Sequence, residues 1–181
     1  TDMVLLYGGG HHRTPYTWDK ERVSSYIRYV DTDNQSHWLF DSFLFLEIMD
    51  TGTGGANKMF AKGYNLESAN QADWTKLIDY YFQSETGIGA LDASVKEASA
   101  ILGTPRQKRQ IVISIPEPIV YQHPEQASSS TKYWGKIDNQ TLDFSNSADR
   151  IKACKWYIDQ VRAKFNEKNY QHVELAGFYW L

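Results

Sequence analysis

The sharpest chemical signal in this chain is a glutamate fixed between two prolines, in Ile113-Ser114-Ile115-Pro116-Glu117-Pro118. Proline on either side ends strand pairing and stiffens the backbone, so Glu117 is held just past an apolar run, where a carboxylate can bind substrate or transfer a proton. A glutamate capping a local turn would have the same sequence. A second carboxylate, Glu47, closes the run His37-Trp38-Leu39-Phe40-Asp41-Ser42-Phe43-Leu44-Phe45-Leu46-Glu47-Ile48. In a regular strand Asp41, six positions earlier, lies on the same side. Carboxylates in so apolar a segment are costly unless paired or hydrogen-bonded. Asp41 is expected to bind backbone or an arginine near the strand's start, which leaves Glu47 as the better site candidate.

A further polar cluster is Gly8-Gly9-Gly10-His11-His12-Arg13. It lacks both the spaced glycines of a dinucleotide site and the Gly-Lys-Ser/Thr of a phosphate loop, which argues against nucleotide binding. Successive side chains of an extended segment point to opposite sides, so His11 and His12 do not readily share one metal ion. One histidine hydrogen-bonded to a substrate is the functional reading, and polar turn residues are the plain one. Neither a metal nor an organic cofactor is expected.

These residues need elements to position them. Four apolar runs, at 3–7, 38–48, 110–115 and 173–181, are separated by segments of helical character, the cadence of an α/β protein with a parallel sheet. Continuous apolar runs are what parallel strands covered by helices look like. The clearest helix is 149–168, where Ile151, Cys154, Ile158, Val161 and Phe165 recur at three- and four-residue steps to give one buried stripe, with Arg150, Lys152 and Lys155 on a solvated face. A second starts with Asn70 as cap and Asp73 three positions on, and buries Trp74, Leu77, Ile78 and Tyr81. A third spans about 89–102 and stops at Gly103. The segment 19–29 gives a short first helix, after which 30–35 could be a hairpin turn. Long loops at 50–70 and 117–146 both follow strands, which points to the C-terminal edge of the sheet as the binding edge.

Composition bounds the function. With 41% apolar residues, 23% charged residues and a net charge of -3, the chain reads as globular and not basic enough to suggest a nucleic-acid footprint. Its single cysteine, Cys154, cannot form an internal disulfide and reads as a small apolar core filler. No run approaches the roughly 18 apolar residues of a membrane span. The chain begins and ends inside strands, so it is expected to be a truncated part of a longer protein, a single domain over 1–181. An export signal for a secreted or cell-surface parent would lie upstream of Thr1.

The stretches Asp2-Met3-Val4-Leu5 with Tyr7, Trp38 to Glu47, Lys58-Met59-Phe60, Ile113-Ser114-Ile115-Pro116 and Ala176-Gly177-Phe178-Tyr179-Trp180 span the chain, and in them it resembles the domain of unknown function 4855 family. The resemblance implies a glycosidase-like (β/α)8 barrel in a longer protein, of which this chain holds the N-terminal half, a partial TIM-like barrel of strands one to four. In glycoside-cleaving barrels the acid commonly follows strand four, with its partner on a later strand, so the acid pair would lie beyond Leu181 and the fragment alone would be inactive. Glu117 and Glu47 are the best catalytic candidates within the chain. Its residues would form one side of a sugar cleft: His11, His12, Glu47, Glu117, Tyr179 and Trp180, with Trp134 from the polar loop after the third strand. Aromatic faces beside carboxylates suit sugars, whose C–H patches are edged by hydroxyls. The expected function is therefore a glycoside-hydrolase-like barrel acting on or binding polysaccharide. A non-catalytic carbohydrate-binding barrel is the alternative, and a different barrel enzyme, including a metal-dependent one, stands behind both. A half barrel would also expose two strand edges open to self-association.

Overall fold

The computed structural model describes residues 2–7, 17–51 and 56–181. Four strands, β1 (Met3–Tyr7), β2 (Ser42–Leu46), β3 (Arg109–Ile115) and β4 (Val173–Trp180), form one sheet in which every neighbouring pair is parallel and the spatial order follows the chain. The sheet is open among the described residues, with β1 and β4 at its edges. Register aligns Val4, Phe43 and Ile111 in one row and Leu6, Phe45 and Ile113 in another. These rows pack into the main core together with the helices. The intervening row of Leu5, Leu44 and Val112 belongs to the opposite face, where Leu5 is exposed and the other two are half-buried.

The described residues form four helices: α1 (Lys20–Ile27), α2 (Gln71–Tyr81), α3 (Gly87–Leu102) and α4 (Ser147–Lys168). Asp19 caps α1 by accepting from Arg22 N at 2.9 Å. Asn70 and Asp73 cap α2 reciprocally, each side chain accepting from the other's backbone N–H at 3.1 and 2.9 Å. None of the helices among the described residues is long and apolar enough to cross a membrane.

Two expectations change. The run 38–48 is not one strand: Ser36–Trp38 pairs antiparallel with Arg28–Val30 in a hairpin, and only 42–46 joins the sheet. Between them the backbone N–H groups of Leu39, Phe40 and Asp41 donate to Ile27, Tyr26 and Asp2 carbonyls, so an apolar stretch that looks continuous is divided by where its amides find partners. The hairpin's tight end is fixed by Asp31, whose carboxylate accepts from Asp33 N and Gln35 N at 3.0 and 2.8 Å. Asp41 takes the structural role expected of it. Its Oδ1 accepts from Asp2 N at 3.0 Å and Ser42 Oγ at 3.1 Å, and its charge opposes the burial that lowers the pKa of the Arg109 guanidinium. That guanidinium lies 4.4 Å above the Trp38 ring.

The buried stripe of α4 is also rotated from the one the periodicity gives. Ala153, Cys154, Tyr157 and Val161 are buried, whereas Ile151 is exposed. The rotation turns Tyr157 onto Trp74 of α2, 5.7 Å between ring centroids, and a large aromatic contact outweighs one isoleucine in area. Cys154 is core filler as expected, and burial pushes its thiol up to about 11. At pH 8 the native chain is therefore expected to resist a small aromatic disulfide reagent until denaturant is added. Prompt stoichiometric labelling of the folded protein would contradict this placement.

Candidate functional site

Three of the four strands deliver their candidate residues to the C-terminal edge of the sheet. Glu47 follows β2 directly and is 2% exposed. Its Oε1 accepts from Ile48 N at 3.0 Å and Met49 N at 3.4 Å, which turns the chain out of the sheet. Met49–Asp50 then pairs antiparallel with Lys58–Met59, which pairs parallel with Glu67–Ser68, making a small three-stranded ledge. Met49, Met59 and Ile119 form a satellite core beneath it. The ledge is held by the Lys58–Glu67 ion pair at 2.5 Å and by Gln122, which donates to Glu67 at 2.6 Å. These two hydrogen bonds, Lys58 first, hold the Glu67 carboxyl below its ordinary range.

Glu117 follows β3 and clips the ledge from the other side. Its own N–H donates to Phe60 O at 2.7 Å, and its Oε2 accepts from Lys62 N at 2.6 Å. The carbonyl of Ile48 in turn accepts from Phe60 N at 2.8 Å. The backbone of Phe60 therefore stands between the segments that carry Glu47 and Glu117, and each glutamate opens into its own cleft. Glu47 lines one of about 180 Å³ with Asp50, Asp73, Lys76, Phe60 and Tyr80. Glu117 lines one of about 370 Å³ with Lys62, Tyr121, Arg150 and Trp180. Farther along the same segment, Tyr133 donates its hydroxyl to Ile119 O at 2.7 Å and Ser68 donates to Tyr121 O at 2.8 Å, so the chain after Glu117 is tied down along its length. Burial raises the Tyr133 phenol pKa.

β4 ends in Tyr179 and Trp180, which are 46% and 60% exposed. The structure thus brings Glu117 and Trp180 to one cleft, places Tyr179 on the same strand end opposite Ser114 of β3, and sets Glu47 in a neighbouring cleft. Trp134 lies elsewhere. At 1% exposure its ring packs 5.2 Å from Trp74, 5.5 Å from Trp156 and 5.6 Å from Phe144, so it offers no face to a ligand. The polar loop carries it inward because Trp134 O accepts from Gln71 N at 2.8 Å, docking the loop on the start of α2. His11 and His12 lie outside the described residues.

Arg150 and Lys62 are members of the Glu117 cleft that the sequence did not single out. Arg150 sits in a charge pattern indistinguishable from any solvated helix face, and Lys62 lies in a loop with no periodic signal; only the folding of the ledge onto the start of α4 assembles them. No group of three or more His, Cys, Asp or Glu side chains among the described residues is placed to hold a metal ion.

A family described as Domain of unknown function (DUF4855) matches residues 2–181. No curated protein and no solved structure matches the chain.

Proposed function

The chain belongs to the Domain of unknown function (DUF4855) family, and on that premise we propose that it forms one side of a carbohydrate cleft at the C-terminal edge of a partial (β/α)8 barrel whose parent protein acts on or binds polysaccharide. Support for the barrel comes from the sheet: four parallel strands added one after another without reversal of order, which is the connectivity of a barrel wall and not of a doubly wound sheet. The carrying observation for the ligand is the shared cleft of Glu117 and the open indole of Trp180. A tryptophan face accepts the C–H side of a sugar ring while a carboxylate takes its hydroxyls.

Hydrolysis needs two carboxylates facing each other across the scissile bond, one to protonate the leaving oxygen and one to attack or to activate water. Glu47 and Glu117 open into separate clefts with the Phe60 backbone between their segments, which argues against their forming that pair. In a glycoside-hydrolase parent a facing carboxylate comes from outside the described residues, and this chain contributes substrate binding. The alternative, a non-catalytic carbohydrate-binding barrel, is favoured by one observation: Glu117 already spends Oε2 on the Lys62 amide, which suits a rigid hydrogen-bonding group.

The test is binding of the 181-residue chain to a broad panel of immobilised polysaccharides, paired with reducing-sugar release by the full-length parent. Trp180→Ala is expected to weaken binding of the recognised glycan about tenfold, the scale of losing one well-placed aromatic contact of roughly 1 kcal/mol or more, without lowering the melting temperature. Binding unchanged by Trp180→Ala would remove Trp180 from the site, and no binding across the panel by either the chain or the full-length parent would end the carbohydrate reading. Sugar release by the parent selects the hydrolase; binding without release selects the module.

A further inference from the structure

We infer that the Glu117–Trp180 cleft is built for an acidic sugar, a uronic acid residue within a polysaccharide; the inference rests on the carbohydrate reading above and narrows it. Two cations, Lys62 and Arg150, line this cleft, and neither forms an ion pair among the described residues. The acidic side chain lining it, Glu117, accepts from the Lys62 backbone amide. Among the side chains of the lining, two cations stand against one carboxylate.

The position of Arg150 strengthens the case. It stands at the fourth residue of α4, near the positive end of that helix, where a cation is disfavoured and an anion is welcomed. Asp149, the acid of the same turn, forms no ion pair with it and accepts from Asp143 N at 2.8 Å through Oδ2. Arg150 donates one Nη1–H to Phe144 O. That bond tethers one edge of the guanidinium and leaves its other donors without a hydrogen bond among the described residues. A planar fork held in this way matches a carboxylate, which it can grip through two parallel bonds. Trp180 supplies the apolar face for the ring that carries the carboxylate, and the cleft volume of about 370 Å³ lies in the range of small-molecule sites. A neutral sugar would leave both cations unanswered.

The experiment measures binding of the 181-residue chain to polygalacturonate, alginate and hyaluronate, each beside its carboxyl-reduced form, which keeps the backbone and removes the charge. At least one acidic polymer is expected to bind about tenfold more tightly than its reduced form, with the preference falling as salt is raised. Arg150→Gln and Lys62→Gln are each expected to remove about fivefold of that preference, the scale of one partly solvated charge-assisted contact, by weakening the acidic polymer more than its reduced form. Lys62→Gln covers the possibility that Arg150→Gln disturbs the start of α4, because the Lys62 amide that holds Glu117 is untouched by a side-chain change. Equal affinity for acidic and reduced forms overturns the acidic-sugar assignment and leaves the carbohydrate reading standing. Failure of both the chain and the full-length parent to bind these polymers and every neutral glycan of the panel ends both. Stronger binding of dextran sulfate than of any carboxylated polymer also overturns the assignment, because it would place a sulfate in the cleft instead of a carboxylate.

Discussion

Trp134→Ala is expected to destabilise the chain by roughly 3–5 kcal/mol, the range for removing a fully buried large aromatic side chain. The ring sits in a cluster with Trp74, Trp156 and Phe144, and Trp74 in turn meets Tyr157 of α4. Deletion leaves a cavity at the point where α2, α4 and the loop after β3 converge. For a chain of this size each kcal/mol moves the melting temperature by about 2–4 °C, so a fall of about 6–20 °C is expected in a thermal scan. Trp134→Phe, which keeps most of the apolar area, should recover more than half of the loss. The pair also separates two roles for this residue. As core, Trp134→Phe retains glycan binding wherever the protein is folded; as a binding plate, it would lose affinity at unchanged stability. A melting temperature within 2 °C or so of wild type for Trp134→Ala would sink the core assignment, given that scale.

Gly89→Ala offers a second large effect, and here two rules oppose each other. Alanine in a helix is better than glycine by about 1 kcal/mol, and position 89 lies in the first turn of α3, so propensity alone forecasts stabilisation. The structure reverses the sign. A Cβ at Gly89 would stand 2.5 Å from both Gln83 O and Ser84 O, which are backbone atoms in the connection from α2. Side chains could rotate away, but two carbonyls cannot yield without moving the turn that joins the helices. Overpacking of this kind typically costs about 1–3 kcal/mol, and with backbone on both contacts the upper part of that range applies, leaving a net destabilisation of about 1–2 kcal/mol after the propensity gain. Equilibrium unfolding in urea measures it. A Gly89→Ala protein as stable as wild type would mean that the α2–α3 turn has room the structure does not show.

The helices were legible because their signals are local. Asn70 and Asp73 three apart announce a capping box without reference to anything else in the chain, and Gly103 after an apolar repeat marks where α3 stops. The α4 stripe was legible only to within one helical step. Choosing Ala153 and Tyr157 over Ile151 depends on Trp74, some eighty positions away. The same limit governs the site. Glu117 declared itself through its flanking prolines, and Trp180 through its place at the end of an apolar run. Trp134, in a polar loop, carried the same exposed signature, yet the backbone bond between Gln71 N and Trp134 O draws it into the core. Lys62 and Arg150 had no signature at all.

What the amino-acid sequence determined by itself was the parallel α/β character, the order of strands and helices, and the carboxylates and aromatics collected at one edge of the sheet. These follow from periodicity, turn chemistry and strand alternation, which act over a few residues. Tertiary structure alone decided that Glu47 and Glu117 open into different clefts, that Arg150 and Lys62 stand beside Trp180, and that Trp134 is core. Each of these depends on contacts between segments far apart in the chain: the Phe60 backbone threads between Ile48 and Glu117, and the first turn of α4 meets the segment after β3. Such contacts are selected by the packing of whole elements, and no local pattern of residues encodes them.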